Sequence, residues 1–208
     1  MFEARLRTKV SAIILPIAKT IASLGITANM VTLFGLVVNL MAAFCFATGQ
    51  LVLAGILILF GGSFDMMDGA VARARKITNS AGALLDSVID RYSEAVIFLG
   101  ALIYFYRLPN LSGVILVFAA VIGSILVSYV RARAEGLQIE CKVGLMQRPE
   151  RIVLLALGVL AQGLLPAQLA SLQASGLILV SVFGILAVTS HITAIHRLLF
   201  SFYQLSNR

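Results

Sequence analysis

The chain has 208 residues, of which 60% are hydrophobic and 12% charged, and its formal net charge is +7. Soluble domains are about 45–50% apolar and about 25% charged, so this composition excludes an ordinary soluble protein. It predicts one all-α integral membrane domain over residues 1–208. The basic residues lie close to the predicted membrane boundaries, which argues against nucleic-acid binding and suits membrane lipids and phosphorylated substrates.

The first segment, residues 1–24, is predicted to be a juxtamembrane amphipathic helix. Apolar residues recur at helical spacing from Phe2 to Ile17, and basic residues are dispersed among them. There is no continuous apolar core followed by a small-residue cleavage site, so the segment is not interpreted as a cleavable signal.

A six-helix transmembrane bundle is predicted over residues 30–197. A membrane-spanning helix needs about 20 mostly apolar residues. Six stretches of the sequence meet this need approximately, at 30–48, 51–73, 81–106, 111–134, 149–166 and 170–197.

The distribution of Lys and Arg predicts the orientation of the bundle. Six spans bring the N-terminal segment, the loops at 74–80 and 135–148, and the C-terminus to one side, which then holds nearly all the basic residues outside the spans. Arg107 is left on the other side. Because basic loops stay in the cytoplasm, both termini are predicted to be cytoplasmic.

All four aspartates of the chain lie near the predicted cytoplasmic ends of two consecutive spans, at Asp65, Asp68, Asp86 and Asp90. Spacings of three and four residues place each pair on one face of its helix. Four carboxylates in a medium of low dielectric constant repel each other unless cations neutralise them. Mg²⁺ or Mn²⁺ suits such oxygen ligands, and two ions could support displacement at phosphorus.

The aspartate geometry alone leaves two alternatives open. The carboxylates could form a structural salt-bridge network with Arg73, Arg75 and Arg91. They could instead mark the path of a divalent-cation transporter, because transporters also bury acidic residues.

The segment from Asp65 to Asp90 resembles the signature of the CDP-alcohol phosphatidyltransferase family, D-x2-D-G-x2-A-R-x8-G-x3-D-x3-D, at every fixed position. The resemblance implies a membrane enzyme, commonly homodimeric, that uses two Mg²⁺ or Mn²⁺ ions held by the four aspartates. It implies that Asp90 is also the catalytic base. It further implies that Asp68, Gly69, Arg73 and Gly82 bind the CDP-lipid.

A second segment, Gly25 to Thr32, is similar to the family's G-[IL]-T-P-N-x-x-T entry to the first span, with Ala28 in place of the usual proline. The resemblance implies that Asn29 and Thr32 contact the CDP-lipid. Asn79 stands where a Thr or Ser often contacts the nucleotide, and it is assigned to the same binding site.

The acceptor is predicted from two further segments, Ser128 to Glu135 and Arg148 to Arg151. They resemble S-Y-x-K-A-R-A-E and R-P-[ED]-R of phosphatidylinositol-phosphate synthases and their archaeal ether-lipid counterparts, which implies a prokaryotic cell membrane. The resemblance implies that inositol 1-phosphate accepts the phosphatidyl-type group and that CMP is released. Four residues are assigned to its phosphate, namely Ser128, Arg131, Arg151 and Arg197.

Several assignments stay open from the sequence. Glycerol 3-phosphate or serine could replace inositol phosphate as the acceptor, and a catalytically inactive scaffold is a further alternative. Arg133 and Arg148 bracket the same loop as Arg131 and Arg151, and they could either add to this cationic cluster or simply meet lipid headgroups; Arg133 could also pair with Glu135. Glu94 is predicted either to hydrogen-bond within the site or to pair with Arg91.

Overall fold

The computed structural model describes residues 14–75, 80–166, 169 and 175–207, and its regular elements there are helical. This confirms the predicted all-α fold. Within these described ranges seven α-helices follow one another: α1 Ile14–Ser23, α2 Ala28–Ala47, α3 Leu51–Arg75, α4 Ser80–Arg107, α5 Leu111–Gly136, α6 Arg148–Gly163 and α7 Leu177–Ser206.

Four of these helices, α2, α3, α5 and α7, are long and apolar enough to cross a membrane. The chain is therefore an all-helical membrane protein. The other two predicted spans coincide with α4, which carries the acidic residues of the site, and with α6, which has only 16 residues. The count of six spans stays a prediction. So does the amphipathic helix over residues 1–24, because residues 1–13 lie outside the described part of the chain.

The last helix differs most from its predicted boundaries. It was expected to end near Arg197, but α7 continues to Ser206. Arg197 is 2% exposed, and its guanidinium donates hydrogen bonds of 2.8 Å to the carbonyls of Val127 and Val143. The charge is satisfied inside the protein, so it does not end the helix. Residues 170–174 of the predicted span lie outside the described part.

The helices pack around a core at the end of the bundle away from the aspartates. Helix α2 contacts α3 and α4, α5 packs on α7, and α6 lies against α3 and α7. Aromatic residues join these helices, with ring centroids 5.9 Å apart for Phe98 and Phe183 and 6.0 Å apart for Phe105 and Phe183. This core fixes α4 against its neighbours and so positions the acidic residues nearer its N-terminus.

Replacing Gly100 with Ala is expected to lower the free energy of unfolding by about 1–3 kcal/mol, the usual cost of overpacking. A Cβ atom at Gly100 would lie 2.9 Å from Cα of Ala43, so the backbones of α4 and α2 would have to separate. Reversible unfolding in detergent measures the effect. Gly136→Ala is the matched control, because a Cβ there meets no atom within 4 Å. Equal stability of the two variants would contradict the prediction.

Candidate active site

The four aspartates lie on α3 and α4, where these helices approach the short connection between them. Asp68 is buried, and Asp65, Asp86 and Asp90 are half-buried. Each of the carboxylates of Asp65, Asp68 and Asp90 is close enough to that of Asp86 to feel its charge. The structure therefore brings together all four residues that the sequence singled out.

The partners of these carboxylates differ. Thr32 Oγ1 donates to Asp68 Oδ2 at 2.8 Å, and the backbone N–H of Gly69 donates to Asp68 Oδ1 at 2.5 Å. By contrast, Asp86 Oδ1 is buried and accepts no hydrogen bond from the described residues. A buried polar atom without a partner is costly, so this oxygen needs a cation or another donor.

Arg148, the first residue of α6, is the cation nearest to the aspartates in the described structure. Its Nη1 forms ion pairs with Asp65 and, at 2.9 Å, with Asp90 Oδ1. Of the two alternatives for Arg148, the headgroup contact is therefore wrong, and the residue lies on the aspartate side of the bundle. The Arg-Pro-Glu-Arg segment was the available signal for this role, but the prediction used only its last residue.

The salt-bridge network considered from the sequence is not the one that forms. Of its three proposed arginines, Arg91 reaches an aspartate, with Nη1 3.7 Å from Asp90 Oδ2. Arg75 instead donates to the carbonyl of Gly25 at 3.1 Å. Arg73 is exposed, and its Nη1 lies 3.4 Å from the position that a Cβ of Gly69 would occupy. Helix α6, rather than α3, supplies the main counter-charge.

A cavity of about 370 Å³, here called the Gly69 cavity, lies on one side of the aspartates. It joins the start of α2 to α3 and α4. Residues assigned to the CDP-lipid line it together: Asn29, Thr32, Asp68, Gly69 and Gly82. Arg73 lies beside Gly69, and Asn79 lies outside the described residues. Arg75 also lines the cavity and was not assigned to it from the sequence.

A larger cavity of about 710 Å³, here called the Arg131 cavity, lies on the other side. Asp90 lines it, and so do all four residues assigned to the acceptor phosphate: Ser128, Arg131, Arg151 and Arg197. Arg91 and Arg148 also line it. Five guanidinium groups around one space form a site suited to an anion.

The arginines of this cavity are held by specific partners. Arg131 Nε donates to Glu135 at 2.8 Å, so Glu135 pairs with Arg131 and not with Arg133. Arg151 Nε lies 2.7 Å from Glu94 Oε1, so Glu94 hydrogen-bonds within the site, as the first of its two alternatives expected, and does not pair with Arg91. Helix packing and side-chain direction select the partners of Glu94 and Glu135.

The acidic residues fit a divalent cation in their chemistry. Carboxylate oxygens are the ligands that Mg²⁺ and Mn²⁺ prefer, and the unpartnered Asp86 Oδ1 is such an oxygen at the centre of the group. No three acidic, His or Cys side chains within the described ranges already converge on one point. Arg148, which pairs with two of the aspartates, provides positive charge in this arrangement.

Comparison with known proteins places the chain in a family. Residues 25–191 match the family model described as CDP-alcohol phosphatidyltransferase. The match covers most of the chain, including helices α2 to α6 and all four aspartates. The chain belongs to the CDP-alcohol phosphatidyltransferase family and is a membrane enzyme of that class. The family assignment disfavours the cation-transporter alternative.

Within the family, the chain is similar to enzymes named as inositol-phospholipid phosphate synthases. The chain is 39% identical to the archaetidylinositol phosphate synthase of Methanothermobacter thermautotrophicus, over 70% of this chain and 71% of the relative. It is 35% identical to the phosphatidylinositol phosphate synthase of Mycobacteroides abscessus, over 71% and 68% of the two chains.

Solved structures that resemble the chain also belong to a phosphatidylinositol phosphate synthase. The phosphatidylinositol phosphate synthase of Mycobacterium tuberculosis with CDP-DAG bound superposes with a TM-score of 0.82 at 30% identity, covering 92% of this chain and 94% of that one. A second crystal structure of that enzyme, in complex with manganese and citrate, has a TM-score of 0.78 at 29% identity, covering 91% and 88%.

Proposed function

We propose that this enzyme transfers a phosphatidyl-type group from a CDP-lipid to inositol 1-phosphate and releases CMP. The observation that carries the proposal is the Arg131 cavity, where Asp90 and five arginines line one space. A phosphorylated alcohol needs both features, a cationic site for its phosphate and a base for its hydroxyl. The inositol-phosphate relatives support the same acceptor.

The proposed reaction is a direct displacement at phosphorus. Asp90 accepts the proton of the acceptor hydroxyl, and the resulting oxygen attacks the β-phosphorus of the CDP-lipid. The bond between that phosphorus and the bridging oxygen breaks, and CMP leaves with the electron pair. The Gly69 cavity holds the donor, and Arg131, Arg151 and Arg197, together with Ser128, orient the acceptor phosphate.

The four aspartates are proposed to hold two divalent ions, Mg²⁺ or Mn²⁺. Bound there, such ions supply Lewis-acid stabilisation of the diphosphate and of the leaving group. Support comes from the unpartnered Asp86 Oδ1 and from the manganese complex of the mycobacterial relative.

An acceptor panel tests the function. Purified protein with CDP-diacylglycerol and Mg²⁺ is expected to release CMP with inositol 1-phosphate faster than with glycerol 3-phosphate, serine or unphosphorylated inositol. Glycerol 3-phosphate has the phosphate but not the inositol ring, so it tests recognition of the phosphate alone. Unphosphorylated inositol has the ring but not the phosphate, so it tests recognition of the ring alone. Fastest release with serine or unphosphorylated inositol would contradict the proposal, because neither presents a phosphate to the arginines.

The membrane arrangement is part of the proposal. We expect six spans, cytoplasmic termini and a cytoplasmic active site in a homodimer in a prokaryotic cell membrane. Leu145 lies in the α5–α6 connection and is 84% exposed, whereas the native Cys45 and Cys141 are buried. A Leu145→Cys variant should react with a membrane-impermeant maleimide in inverted vesicles and not in intact cells. Labelling in intact cells would reverse the orientation, and light scattering in detergent measures the dimer.

A further inference from the structure

A buried ion pair between α4 and α6 lies beside the Arg131 cavity. Arg151 Nε and Nη2 donate to the two oxygens of Glu94 at 2.7 and 3.0 Å. The side chains are 2% and 6% exposed, respectively. Ser124 of α5 donates to Glu94 Oε2 at 2.6 Å. The carboxylate of Glu94 thus joins three helices, α4, α5 and α6. Its pair with Arg151 is bidentate, a geometry specific to a guanidinium and a carboxylate.

The ion pair directly connects two parts of the proposed reaction. Glu94 lies one helical turn after Asp90 on α4, and Arg151 lines the same cavity as Asp90. Arg151 Nη1 also donates to the carbonyl of Met146 at 3.3 Å. A guanidinium has five N–H donors, so these bonds leave one donor on each of the two Nη atoms. The orientation of those two donors is set by Glu94.

A purely structural role would not require this placement. A buried ion pair is weak evidence for stability, because the cost of desolvating two charges can exceed their attraction. The cost of burying it is reasonable if the orientation of Arg151 matters to the reaction.

We propose that Glu94, held by Ser124, is a positioning residue for the phosphorylated acceptor. It fixes the guanidinium of Arg151 relative to Asp90 on the same helix, so that the acceptor phosphate is bound where its hydroxyl reaches the base. The inference rests on the proposed function in requiring a phosphate-bearing acceptor. It does not require that the alcohol be inositol.

The test is a comparison of the Michaelis constants of the two substrates. Glu94→Gln keeps the shape of the side chain but removes its charge. It is expected to raise the KM for inositol 1-phosphate about tenfold or more and to change the KM for CDP-diacylglycerol less than about twofold. Equal increases in both constants, or a lower kcat accompanied only by a lower unfolding midpoint, would show that Glu94 merely supports the fold.

Four further variants make the test decisive: a second test of Glu94, a matched control, and a double variant compared with Arg151→Gln. Ser124→Ala leaves the ion pair in place and removes the hydrogen bond that holds Glu94, so a smaller change in the same constant is expected even if Glu94→Gln does not fold. Glu140→Gln is the matched control, because Glu140 is exposed and pairs with Lys142 away from the cavity. In the Glu94→Gln/Arg151→Gln double variant, the acceptor KM should match that of Arg151→Gln alone. Additive effects would overturn the inference.

A binding measurement separates this inference from the proposed function. Inorganic phosphate should raise the unfolding midpoint of the wild-type protein and should protect Glu94→Gln less. If the wild-type protein shows this protection but no CMP release with inositol 1-phosphate, the acceptor assignment fails while the role of Glu94 stands. If phosphate protects both proteins equally, or neither, the role of Glu94 is refuted whatever the acceptor.

Discussion

Asp90→Asn is expected to lower kcat by at least about a hundredfold, the range that a general base contributes. The substitution keeps the size of the side chain but removes the group that would accept the acceptor's proton. Asp90 lines the Arg131 cavity and not the Gly69 cavity, so binding of the CDP-lipid should be largely preserved. Release of CMP measures turnover, and equilibrium binding of CDP-diacylglycerol measures the donor site.

A stability measurement and a control variant distinguish loss of the base from loss of folding. The variant should keep its unfolding midpoint, because Arg148 retains its ion pair with Asp65. Glu140→Gln serves again as an acidic-to-amide control, at an exposed position outside both cavities. Turnover at the wild-type rate in Asp90→Asn would exclude Asp90 as the base.

Removal of divalent cations is expected to abolish turnover, and either Mg²⁺ or Mn²⁺ should restore it. Four carboxylates lie near one another, and Asp86 Oδ1 has no hydrogen-bond donor among the described residues. Their mutual repulsion is relieved most directly by cations bound to several of them. The measurement is CMP release after exhaustive chelation, followed by titration with each metal.

A direct metal-binding measurement accompanies the activity assay. Asp86→Asn should weaken Mn²⁺ binding by about tenfold or more, because the substitution removes a charged ligand from the centre of the group. Electron paramagnetic resonance of the free ion measures the binding. Fitting the binding curves also gives the number of ions. Full turnover in the chelated enzyme, or unchanged Mn²⁺ binding in Asp86→Asn, would rule out the proposed metal site.

The helices could be predicted well from the sequence because hydrophobicity is a local property. The connections that contain Thr48-Gly49-Gln50 and Leu108-Pro109-Asn110 separate the helices where expected. The end of α7 could not be predicted, because the cost of a charge within a helix depends on its partners. Arg197 is satisfied by carbonyls of Val127 and Val143, which are distant in sequence.

The site could be predicted in composition but not in connectivity. Fixed spacing along α3 and α4 identified Asp65 to Asp90, because one helix face collects residues three and four apart. The partner of Glu94 and the position of Arg148 depend on how α6 packs against α3 and α4, which no local pattern encodes. Arg148 and Arg151 could therefore be identified from the sequence, but whether Arg148 reaches the site or the lipid headgroups could not.

The two cavities share no lining residue in the described structure, and the aspartates lie between them. Under the proposed assignment, donor and acceptor have separate places and could be bound at the same time. A covalent enzyme intermediate, which would let one substrate leave before the other enters, would have no purpose in such an arrangement. We therefore expect sequential rather than ping-pong kinetics, and inversion of configuration at the transferred phosphorus.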